Sequence, residues 1–139
     1  MSHRRPMPAA LMAKAGTACA SARALLELGD VDGAVNRAYY AMFDAARAAL
    51  LASGAPVEPD IGRTHGGLIA AFGGYLVKNG PVAKEMGQLL NRAHEVRQAA
   101  DYSGDSVEPA NAEELVEQAE AFVAAMRTGF MLEDSGQQP

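Results

Sequence analysis

Apolar residues recur along the chain in steps of three and four, and no stretch alternates between apolar and polar. Leu11, Ala15, Ala18, Ala22, Leu25 and Leu26 form such a series and predict a first helix from about Pro8 to Leu28. The polar turn GDVDG at 29–33 follows. A second helix is expected over Val31–Ser53, with Gly54 as its C-terminal stop. The connector APVEPDIG contains two prolines and leads to a third helix predicted over Arg63–Val77. Gly66, Gly67, Gly73 and Gly74 lie inside it, each costing a helix about 1 kcal/mol relative to alanine. Gly66 stacks over Gly73, and Gly67 over Gly74. Two readings follow: close contact with a neighbouring helix or ligand, or a loosely formed, broken helix. Asn79, Gly80 and Pro81 make a turn before a fourth helix over Val82–Tyr102. SGDSVEPAN then breaks the chain. Asn111 and Glu114 have capping-box spacing ahead of a fifth helix. That helix places Ala112, Leu115, Val116, Ala119, Phe122, Val123 and Met126 on one stripe. The pattern predicts an all-α, antiparallel bundle of four to five helices. It is read as one domain over 1–139, ordered from about 8 to 131, with frayed ends.

Two helices carry more than one apolar face. On the second, Val35, Tyr39, Met42, Ala46 and Leu50 share one side, while Arg37, Tyr40, Asp44 and Leu51 share the opposite side. A helix of this kind is covered on both sides. Tyr39 is expected in the core, and Tyr40 against another helix, a partner chain or a ligand. On the fourth helix, Met86, Leu89, Ala93, Val96 and Ala100 form the predicted core stripe. Leu90, His94, Arg97 and Asp101 form a second stripe beside it. Arg97 and Asp101 stand in the weaker i,i+4 order, which makes Arg37 a candidate partner for Asp101.

Composition narrows the choice of chemistry. At 49% apolar residues the chain is expected to be globular, although alanine supplies much of that fraction. Twelve basic and 17 acidic residues give a net charge of −5, which argues against nucleic acid coating the whole surface. A small basic site remains compatible with that sum. The single cysteine, Cys19, rules out an intrachain disulfide and a multi-cysteine zinc site, and is expected as a buried hydrophobe. No segment approaches a membrane span, and MSHRRPMP is not followed by a signal-peptide core. A soluble cytoplasmic protein is expected. The histidines are His3, His65 and His94, and no Glu-x-x-His step of a di-metal bundle precedes the last two. No phosphate loop is present either, so no metal and no cofactor are expected. His65 is expected to make a structural hydrogen bond.

Four stretches together resemble the HEPN domain family: NRAYYAMFDAARAALLASG at 36–54, THGGLIAAFGGYLVKNG at 64–80, RQAADY at 97–102, and the closing helix with EQAEAFVAAMR. The resemblance implies a four- or five-helix bundle that forms a homodimer. It also implies links to RNA cleavage and to toxin–antitoxin pairs, whose other member is often a minimal nucleotidyltransferase. Ribonuclease members carry an arginine followed, after four to six residues, by a histidine. Here Arg97 is followed at that spacing by Tyr102, so the motif is degenerate. The resulting expectation is a module binding RNA, a nucleotide or a partner through Arg37, Tyr40, His94, Arg97 and Asp101, with Tyr102 as a further ligand-contact or modification candidate. The alternative is a metal-independent endoribonuclease toxin in which Arg97 stabilises phosphate charge and His94 replaces the missing histidine.

Overall fold

The computed structural model describes residues 7–132. Five α-helices follow in order: α1 (Pro8–Glu27), α2 (Val31–Ser53), α3 (His65–Ala71), α4 (Lys84–Ser103) and α5 (Pro109–Gly129). A π-helical segment, Phe72–Lys78, continues directly from α3. No strand occurs among the described residues. The fold is therefore all-α, as the periodicity requires. The expected frayed ends concern residues 1–6 and 133–139, which lie outside the described residues.

α2 is the centre of the bundle and touches every other helix. Its start is fixed by Asp30, whose side chain accepts from the Gly33 N–H at 2.9 Å. Its end is fixed by Gly54, at φ 80°, where a Cβ would be strained. Buried Ala34, Ala38, Ala41, Ala45, Ala46, Ala48 and Ala49 let neighbours approach on several sides. Tyr39, Met42 and Leu50 supply the bulk on the predicted core face and are fully buried. Phe72 and Phe122 pack with ring centroids 5.6 Å apart. The predicted stripe of α5 is buried in its entirety. Arg23 of α1 binds Glu120 of α5 in a two-pronged pair, at 2.7 and 3.2 Å. Asp32 holds the α4–α5 connection by accepting from the Val107 N–H at 3.0 Å and the Ser106 hydroxyl at 3.1 Å.

Three local expectations are corrected. The third helix is not one α-helix over 63–77. Thr64 caps α3 by accepting from the Gly67 N–H at 3.2 Å, and winding widens at Phe72. Gly73 and Gly74 weaken the α-ladder there, while the wider winding keeps Phe72 and Leu76 both buried. A Cβ at Gly66, Gly73 or Gly74 would meet nothing within 4 Å, so these glycines do not serve close packing. Gly80 does: a Cβ there would lie 2.5 Å from the Tyr75 carbonyl oxygen as the chain folds back over the π-segment. The fifth helix starts at Pro109, not at an Asn111 cap. Proline suits the first helical position, and Glu114 reaches Arg92 of α4 at 3.4 Å instead. On α4 the fully buried residues are Leu90 and Ala93, with Met86, Leu89, Val96 and Ala100 only half-buried. The core-facing line therefore runs between the two predicted stripes and carries His94 and Arg97 inward.

No helix among the described residues is long and apolar enough to cross a membrane.

Candidate functional site

Between Ala34 and Leu50, every residue of α2 is buried except Asn36, Arg37, Tyr40, Asp44 and Arg47. The last four succeed one another at steps of three, four and three, so they form one strip along the helix. This explains the adjacent tyrosines. Tyr39 fills the core at 0% exposure, while Tyr40 sits on the strip and is half-buried. Their rings meet edge to face at 5.2 Å.

Arg97 of α4 lies against both. Its guanidinium carbon is 5.3 Å from the Tyr39 ring centre and 5.2 Å from that of Tyr40, within cation–π range. Nε donates to Asn36 Oδ1 at 3.2 Å. Nη2 lies 3.6 Å from Asp101 Oδ2. The expected Arg37–Asp101 pair is therefore not formed: Asp101 stands one turn from Arg97 on the same helix and pairs with it. Nη1 points to His65 Nδ1 at 3.5 Å. Arginine has only donors, so His65 accepts there as a neutral imidazole with its proton on Nε2.

His65 was not among the expected site residues, and α3 brings it in from a third direction. Its ring centre lies 4.9 Å from Phe43, 5.5 Å from Tyr39 and 5.9 Å from both Tyr40 and His94. Burial first, then the charge of Arg97 and the neighbouring His94, hold its pKa below the ordinary histidine value. A histidine less basic in the folded chain than in the unfolded one supports the fold above its ordinary pKa, and that support is lost as pH falls below it. Stability measured by urea unfolding is expected to drop between pH 7 and 5. His65→Gln should flatten that drop; a profile identical to the wild type would remove His65 from the account.

The hydroxyl of Tyr39 and Nδ1 of His94 are buried without hydrogen-bond partners. Burial pushes the Tyr39 pKa up to about 12 despite the opposing pull of Arg97. Raised above its unfolded value near 10, this tyrosine favours the fold below that pH and ceases to do so as pH rises through 12. Tyr39→Phe removes an unpartnered polar atom and keeps the ring. The variant is expected to match the wild type or gain about 1 kcal/mol in urea unfolding. A loss of more than about 1 kcal/mol would mean that the hydroxyl has a bonding role.

Arg37 lies on the strip one turn before Tyr40, and no hydrogen bond or ion pair joins it to Arg97. Tyr102 does not join them: at 87% exposure it projects from the end of α4. No group of three or more His, Cys, Asp or Glu suited to a metal ion occurs among the described residues. Neither of two surface clefts contains the arginine cluster. One, of about 320 Å³, lies between the 56–64 connector and Tyr75. The other, of about 740 Å³, runs along α1 beside Arg127.

The chain matches the HEPN domain across residues 9–128. A UPF0332 protein of Thermotoga maritima is 39% identical over 107 residues, covering 76% of each chain. The chain belongs to the HEPN domain family. A protein of Methanocaldococcus jannaschii, named as a candidate toxin, is 37% identical over 90 residues, covering 65% of this chain and 63% of that one. A UPF0332 protein of Gloeobacter violaceus is 36% identical over 94 residues, covering 68% and 71%. In this HEPN chain Arg97 is gripped by α2, α3 and its own helix, and Tyr102 stands apart from that grip. Sequence reasoning assigned Tyr39 to the core alone, passed over Asn36, and gave His65 a structural hydrogen bond, whose partner proves to be Arg97. The available signal for His65 was its place just after the Thr64 cap, which fixes it in the first turn of a helix.

Proposed function

We propose that this HEPN protein is a toxin-type module that binds RNA, without cutting it, through Arg97, Tyr40 and Arg37. The observation that carries the reading is the guanidinium of Arg97 held against two tyrosine rings. That arrangement offers phosphate a fixed cation beside an aromatic face, the pairing used for single-stranded nucleic acid. The histidine geometry favours binding over cleavage. His65 uses Nδ1 on Arg97, Nδ1 of His94 is buried, and Tyr102, which stands where the motif has its histidine, projects away from the cluster. The toxin setting rests on the resemblance to the candidate toxin of M. jannaschii. Within that setting the protein acts as a homodimer in the cytoplasm, with a minimal nucleotidyltransferase as its antitoxin. The half-buried flank of Met86, Leu89 and Val96 on α4 gives a dimer apolar surface to cover.

The test is incubation of the pure protein with labelled single-stranded RNA in EDTA. Retardation of intact RNA, lost in Arg97→Ala, is the expected result. Metal-independent cleavage that His94→Ala or His65→Ala abolishes would overturn the binding-only reading in favour of an endoribonuclease. Light scattering checks the dimer separately.

A further inference from the structure

We infer that the exposed strip of α2, with Lys14 of α1 beside it, is a track for the sugar–phosphate backbone of single-stranded RNA, continuing from Arg97 past Tyr40 to Arg47. This rests on the RNA-binding reading and extends it to Lys14, Asp44 and Arg47, which that reading does not use.

Between Ala34 and Leu50 of α2 only this strip and Asn36 escape full burial, and the strip is polar or aromatic throughout. From Arg37 to Arg47 it rises about 15 Å at the α-helical repeat. Arg37 and Arg47 stand at its two ends and Arg97 closes over Tyr40 between them. Lys14 reaches the middle from α1, close enough that its charge acts on Asp44 together with those of Arg37 and Arg47. Two cations of the strip, Arg37 and Arg47, and two beside it, Lys14 and Arg97, thus outnumber the carboxylates of Asp44 and Asp101 on a chain whose net charge is −5. Local concentration of one sign is what steers a polyanion to an otherwise acidic surface. Arg47 is half-buried, with its stem against Gly62 of the connector. Its Nη2 makes one long bond to the Pro59 carbonyl at 3.4 Å, and its Nε is buried without a partner. A single aromatic face beside a narrow row of cations suits a strand with unpaired bases, whereas an acidic peptide would leave that face unused.

Asp44 opposes the others. Its half-buried carboxylate lies among Lys14, Arg37 and Arg47 and cancels part of their field. It supplies a test in which binding should improve. Fluorescent oligouridylate is titrated with the full-length protein by anisotropy across a range of KCl concentrations, after circular dichroism shows each variant to be folded. Asp44→Asn is expected to bind several-fold tighter. The double variant Lys14→Gln, Arg47→Gln is expected to bind at least tenfold weaker, with a log–log salt slope shallower by about 1.4, or 0.7 per lost phosphate contact. If both variants stay within twofold of the wild type while Arg97→Ala abolishes binding, the track is refuted and the Arg97 site stands. A wild type that fails to bind oligouridylate overturns both. Poly-glutamate binding as tightly as the RNA, with the same response to the variants, would overturn the choice of nucleic acid.

Discussion

Arg97→Ala is expected to abolish RNA retention and to lower the stability of the fold by about 1–3 kcal/mol. The substitution removes a cation from two tyrosine rings and leaves Asn36, His65 and Asp101 without their shared partner. Three elements lose a common tie at once, so the cost exceeds that of an exposed ion pair, whose usual worth is at most about 1 kcal/mol. Arg97→Lys separates charge from shape. An ammonium keeps the positive charge but cannot lie flat on a ring while serving donors in three directions. It should recover part of the affinity and little of the stability. Urea unfolding and anisotropy read the two effects independently. Wild-type affinity in Arg97→Ala would place RNA binding elsewhere on the molecule.

Phe122→Ala should have the largest effect on stability, about 3–5 kcal/mol. The ring is fully buried against Phe72 where α5 meets the π-segment, and α2 packs alongside. A domain of this size has roughly 5–15 kcal/mol in total, so the variant should unfold well below the wild-type temperature. Calorimetry measures that shift. Phe122 touches none of the groups around Arg97, so RNA affinity at low temperature should persist. A melting temperature within a few degrees of the wild type would show that the core relaxes into the space left behind.

Most of the bundle was legible because α5 and the core face of α2 have a single clear period. Where two patterns competed, legibility fell. The α4 stripes were both identified, but a helix can turn by part of a residue step. The buried line settled between them, through Leu90 and Ala93. The third helix hid its change of winding because π-helical spacing leaves no periodic mark over seven residues. The start of α5 was a contest between a capping box and Pro109, and the fixed backbone angle of proline won. Helical spacing singled out Arg37, Tyr40, His94, Arg97 and Asp101, of which Tyr40 and Asp101 lie against Arg97. The structural hydrogen bond expected of His65 was legible, but its partner Arg97 was not, because that depends on where α3 lies relative to α4, and no local pattern encodes it. The relevance of Lys14 likewise depends on how α1 lies against α2.

The near-complete enclosure of α2 divides its positions into two kinds with different freedom to vary. At Ala34, Ala38, Ala41, Ala45 and Ala49 one added methyl group would press against a neighbouring helix, so these sites tolerate almost no change in size. At Arg37, Tyr40, Asp44 and Arg47 the side chains are only half enclosed, so exchange there disturbs the interior less. Ligand preference can therefore drift along one edge of the helix while the scaffold is held constant, allowing a single architecture to acquire new targets by a handful of surface replacements.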